Sequence, residues 1–299
     1  MTFKVLLLVN KTLGNLDEAL ENCQKWWESL EIYHSDNRAM KAELLVEFGT
    51  VYLAKADFGK DSQKTTENLL KAISYMKKGA EMAEQLGIST LLCETLDGLA
   101  FAYHSKGELH NALNFAQKAR DLKNNFNNKA AKADNLKILG GINLALERLE
   151  EAEQNFKEAL QLSLECEDQE LIAGSYGRLG FISMKKNDFE TAISCLNRST
   201  AITDKLRKSI GHQAQKISFV EINTQNYHTL ELVYFHCERY NDALVTSERR
   251  KARAFIDMIH AKYWSRGHLP VSQSLTEPSF EKLRMIVDNE KAIFVVFSD

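Results

Sequence analysis

Residues 96–119 read LDGLAFAYHSKGELHNALNFAQKA, and the packing this stretch implies decides the fold. Leu96, Leu99, Ala100 and Tyr103 fall on one helical face. Gly107 and Glu108 interrupt the run, and Leu109, Ala112, Ala116 and Ala119 form a second apolar face. This spacing predicts two short helices joined by a tight turn, with small side chains where the helices touch. Shifted by 40 residues the pattern returns as Leu136, Leu139 and Gly140, then Leu149, Ala152, Phe156 and Ala159. Shifted by 40 again it becomes Tyr176, Leu179 and Gly180, then Phe189, Ala192, Leu196 and Ser199. A fixed period of this length means a repeat array.

Outward from this block the copies loosen. Phe48, Gly49 and Tyr52 pair with Ala72, but 23 residues separate Gly49 from Ala72 where 12 separate Gly140 from Ala152. The extra 11 fit the polar stretch 57–67, which reads as an enlarged turn. Tyr227, Leu230 and Tyr234 pair with Tyr240 and Ala243, again with 11 additional residues before them. Leu6, Leu7, Gly14, Leu16 and Ala19 form a first copy without the usual lead-in. The expected helices are 16–33; 39–55 and 69–86; 89–106 and 109–122; 130–146 and 149–165; 169–185 and 189–206; 221–237 and 241–263.

These residues resemble the tetratricopeptide repeat, whose pattern is W-x2-L-G-x2-Y followed by A-x3-F. The resemblance spans roughly residues 1–250 and implies an all-α, right-handed solenoid of about six helix pairs. Two departures stand out: Glu231 occupies a position where the family has a small residue, and no copy carries the closing proline. Gly49, Gly140 and Gly180 sit inside helices, where glycine costs about 1 kcal/mol relative to alanine. Close crossing by a neighbouring helix offsets that cost, as it does for Ala72, Ala112, Ala152, Ala192 and Ala243.

Composition agrees with a helical array. The chain has 299 residues, 44% hydrophobic and 26% charged, and its two prolines, Pro270 and Pro278, fall near the end, so helices can run unbroken before them. The net charge of −3 provides no electrostatic footprint for nucleic acid and argues against that partner. Five cysteines, an odd number without a C-x-x-C, point to a reducing compartment, and the expected location is cytoplasmic. The apolar run 5–9 is short for a signal-peptide core, and no run approaches a membrane span.

Function is expected on the side of the first helices, which in the family lines a concave groove. A stripe spaced i, i+4, i+7 gives Asp97, Phe101 and His104; Lys137, Gly141 and Leu144; Gly177, Phe181 and Met184; and His228, Leu232 and Phe235. Stacked together, these would form an apolar channel with a few polar heads, suited to a peptide. Equally, Phe101, Phe181, Leu232 and Phe235 would pack between neighbouring first helices. Lys137 and nearby Arg178 are the only cations of the lysine or arginine type on these stripes, too few for a clamp on a terminal carboxylate.

Catalytic constellations are thin. His228 and His236 lie two turns apart on one helix, too far to share a metal, and adjacent His236 and Cys237 point apart. No H-E-x-x-H, phosphate-binding glycine loop or G-x-S-x-G is present. Cys195 reads as part of an apolar helix face, and the basic run 249–253 as a solvated face. The expectation is a chain without catalytic residues, cofactor or metal.

The end of the chain carries a second resemblance. Residues 243–259, ALVTSERRKARAFIDMI, are similar to the junction that joins such repeats to a caspase-like CHAT domain, with Glu248, Arg249, Arg253, Phe255 and Asp257 matching. A polar linker at 265–279, a short helix and the run KAIFVVFS then suggest the start of a truncated CHAT-like domain at 280–299, following a repeat array at 1–264. The run 292–297 is apolar and β-prone, and it predicts an orphan strand with an edge for self-association. The reading that results is a non-enzymatic scaffold binding a protein or peptide partner. The alternative is the regulatory arm of a CHAT-type cysteine peptidase.

Overall fold

The computed structural model describes residues 2–12, 14–57, 62–209 and 213–250. The chain divides into two compact units, Met1–Cys166 and Glu167–Asp299. Unit 1 holds α1 (Thr2–Thr12), α2 (Leu16–Tyr33), α3 (Arg38–Asp57), α4 (Ser62–Gln85), α5 (Ser89–Ser105), α6 (Leu109–Lys123), α7 (Lys129–Ala145) and α8 (Leu149–Glu165). In unit 2 are α9 (Gln169–Lys185), α10 (Phe189–Ser209) and α11 (Gln213–His236), and residues 240–250 are again helical (α12).

Each unit is built from antiparallel pairs. In unit 1, α1 packs on α2, α3 on α4, α5 on α6 and α7 on α8. Each second helix also meets the next first helix, and α3, α5 and α7 touch in sequence. Unit 2 repeats the scheme with α9 on α10, α10 on α11 and α9 against α11. Ala72, Ala112, Ala152 and Ala192 are fully buried at the crossings. A Cβ on Gly140 would stand 2.8 Å from the Phe156 ring, so glycine is what lets that ring, only 1% exposed, lie across α7.

The turns explain the 40-residue register. Gly107 adopts φ 84°, and the equivalent positions Glu147, Asn187 and Glu238 adopt 61°, 60° and 58°. At each, the next amide reaches back to a carbonyl five residues earlier, as in Glu108 to Tyr103, Arg148 to Asn143 and Asp188 to Ser183, all 2.9 Å. This is the left-handed helix ending that satisfies orphan carbonyls. Helix starts are capped by side chains: Asn128 accepts from the Ala131 amide, and Asp168 from those of Glu170 and Leu171.

Two expectations change. The enlarged turn expected at 57–67 is corrected at 62–67, where α4 begins at Ser62 and runs as helix; residues 58–61 lie outside the described residues. Thr66 Oγ1 donates to the Ser62 carbonyl at 3.0 Å, and Lys71 pairs with Glu67 at 2.6 Å, one turn apart. The second correction concerns fold class. The described residues contain helix and no strand, so the fold is all-helical and the short helix and orphan β-strand expected at the C-terminus are dropped from it, together with self-association through that strand. A continuous apolar run cannot by itself distinguish a buried strand from a buried helix segment, and no described strand offers it a partner. Residues 280–299, like the boundaries expected at 264 and 279, lie outside the described residues.

Candidate functional site

The first helices leave one side uncovered, since their other sides meet their own partner and the neighbouring pairs. In unit 1 the residues open or half-open to solvent along this side are Glu94, Phe101 and Ser105 on α5, and Asp134, Ile138, Gly141 and Ala145 on α7, while Gly98 lies against Met76 of α4. In unit 2 they are Gly174, Arg178, Phe181 and Lys185 on α9, and Gln225, Leu232 and His236 on α11. The open stripe thus lies about one position round the helix from the i, i+4, i+7 stripe read from the sequence.

In unit 1, Phe101 is 40% exposed, while His104, Lys137 and Leu144 are half-buried. Lys137 pairs with Asp134 at 3.6 Å. Asp97, which began the expected stripe, turns inward. It forms an ion pair with the buried Lys123 and accepts from Asn135 Nδ2 at 2.7 Å. Lys123 also donates to the Ala131 carbonyl at 3.0 Å, and Asn135 to the Ala116 carbonyl at 3.0 Å. Burial pushes the Asp97 carboxyl above its ordinary value, against the attraction of Lys123 and the hydrogen bonds from Lys123 and Asn135. The group is a structural brace between α5, α6 and α7.

In unit 2, Phe235 is 62% exposed, Leu232 40%, and Phe181, Met184 and His228 are half-buried. Phe235 meets Tyr240 edge-on at 5.5 Å, and Tyr240 is itself 56% exposed. Lys185 Nζ lies 5.5 Å from the Phe181 ring centroid. Met184 packs against the cluster of Leu230, Val233 and Tyr234, and Gly177 is covered by Asn226, so these two positions belong to the packing of α9 on α11. Glu231, anomalous for the repeat, pairs with Arg250 at 3.5 Å. Arg178, beside the stripe, was also expected from the sequence to be one of the groove residues. It is open at its rim, while the protein crowded around its guanidinium holds its pKa below the ordinary arginine value.

Other features do not assemble into chemistry. A cleft of about 580 Å³ between α4, α5 and α6 lies on the far side of α5 from Phe101. Its floor of Leu92, Leu96, Leu99 and Phe115 is the edge of the core. None of the five cysteines is in a disulfide, and burial pushes the Cys23 thiol up to about 12, which keeps it protonated and inert. Among the described residues no three His, Cys, Asp or Glu side chains cluster as metal ligands. No described helix is long and apolar enough to cross a membrane.

Comparison with known proteins supports the fold. The family model "Tetratricopeptide repeat" matches residues 173–205, which run from within α9 into α10. No curated protein matches the chain by sequence. Among solved structures, BtubC (BKLC) from P. vanneervenii is similar with a TM-score of 0.60 at 17% identity, covering 90% of this chain and 96% of its own. A Rap protein solved with Competence and Sporulation Factor has a TM-score of 0.56 at 16% identity, covering 97% of this chain and 87% of its own. The Rap conjugation gene regulator of plasmid pLS20, solved with the Phr* peptide, has a TM-score of 0.53 at 18% identity, covering 96% and 84%. The chain therefore has an all-helical, tetratricopeptide-like repeat fold.

Proposed function

We propose that the chain is a non-enzymatic interaction scaffold that holds a peptide or partner segment along the open sides of its first helices. The observation that carries this reading is the set of large apolar side chains left in solvent on the first helices, Phe101 and Leu232 on the open stripe and Phe235 beside it against Tyr240. Stacked helix pairs present such sides in series, which suits an extended or helical ligand. Two proteins of similar fold were solved with a bound factor or peptide, which favours the same use of the architecture here. In unit 1 such a surface would draw on Phe101, His104, Lys137 and Leu144; unit 2 would have its own, drawing on Arg178, Phe181, Met184, His228, Leu232 and Phe235. The similarity of 243–259 to a repeat–CHAT junction is the ground for placing the scaffold among CHAT-associated proteins of the cytoplasm.

The test is the double variant Phe181→Ala with Phe235→Ala, assayed for binding to peptides selected by the wild-type chain from a displayed random library. Binding should be lost. The thermal midpoint should fall by less than truncating two buried phenylalanines would cost, roughly 3–5 kcal/mol each, because Phe235 is largely exposed and Phe181 is only half-buried. A drop of that full size would assign both rings to helix packing instead.

A further inference from the structure

Unit 2 carries a charge pattern that its packing does not use. Gly177 lies against Asn226 and Met184 against the Leu230–Val233 cluster, so α9 and α11 run in the same direction with their open stripes side by side. Arg178 then stands near the level of His228, with Phe181 one turn on and Leu232 across from it. Among the described residues no carboxylate pairs with Arg178. Lys185, one turn beyond Phe181, rests on that ring and adds a second cation. Glu231, an acid on α11, is only 14% exposed at its side chain and is occupied by Arg250. A guanidinium open to solvent and left without a counter-ion is available to a carboxylate. Its planar fork matches that group with two parallel hydrogen bonds.

We propose that this face of unit 2 binds an acidic, apolar peptide, in which a side-chain carboxylate docks on Arg178 and a neighbouring apolar residue lies on Phe181 and Leu232. The inference rests on the peptide-scaffold reading above and adds the chemistry of the ligand. Charge complementarity selects the acid, and the apolar pair Phe181 and Leu232 selects its neighbour.

The experiment selects from a displayed random dodecapeptide library on the full-length chain and then measures a synthetic consensus peptide by fluorescence anisotropy. Selected sequences should carry Asp or Glu within two residues of Leu or Phe. Arg178→Gln should weaken the consensus peptide by about tenfold, the order of one charge-assisted hydrogen bond. Changing the peptide's acid to its amide should weaken wild type by a similar factor and leave the variant unaffected. Selected peptides without acid preference, or an acid-to-amide loss equal in both chains, would overturn the inference and leave the scaffold reading standing. Selection of no peptide at all would overturn the scaffold reading itself.

Discussion

Position 147 holds a glutamate at φ 61° where its equivalent, Gly107, sits at 84°. Both close the same kind of helix ending, but a side chain with a Cβ pays for the left-handed region and glycine does not. Glu147→Gly should stabilise unit 1 by about 1 kcal/mol, and Gly107→Glu should lose a similar amount, as read by urea unfolding. The buried Asp97–Lys123 pair makes a prediction of opposite sign. Removing the cation strands a carboxylate in the core, so Lys123→Met should cost roughly 3–5 kcal/mol near neutral pH. Because burial already raises Asp97 above its ordinary value, the folded chain holds that proton more tightly than the unfolded one. Its contribution to stability is therefore present in acid and declines as pH rises through the folded pKa. The Lys123→Met variant should recover most of its loss as pH falls into the carboxylate range, where Asp97 is protonated and needs no partner. Unfolding measured across that range checks it, and a pH-independent deficit would contradict it.

At the scale of elements, residues 62–67 of the insert within copy two are helix rather than loop. Glu67→Pro removes a helical amide and clashes with the preceding turn, so it should cost roughly 3 kcal/mol. In a polar turn the same change would be nearly silent, and a thermal melt distinguishes the two. The sequence was most informative where apolar periodicity met a clear break: α2, α8 and α9 begin and end where the pattern predicts. It misled at 62–67, because Ser62, Gln63, Thr65 and Thr66 read as loop by composition, while their helix is held by the downstream turns it continues into. The open stripe was misplaced for another reason. Asp97 looks like a surface acid until Lys123, 26 residues away, folds over it, and that contact has no local signature. Arg178 was expected in the groove, but its lack of a counter-ion among the described residues was not legible, because that is a property of the packed surroundings.

For the whole molecule, repeat packing means that each pair is felt mainly by its neighbours. Unit 1 and unit 2 each present first helices whose second-helix partners bury alanines and leave the opposite side free. A ligand on those free sides would stabilise the first helices directly and the second helices only through shared packing. Hydrogen–deuterium exchange of the full chain, with and without a saturating library-selected peptide, tests this most directly. The account predicts slowed exchange concentrated in α9 and α11 for a ligand held by unit 2, or in α5 and α7 for one held by unit 1, with α6, α8 and α10 little changed. Protection centred on α6, α8 or α10, or on the cleft between α4 and α6, would contradict it.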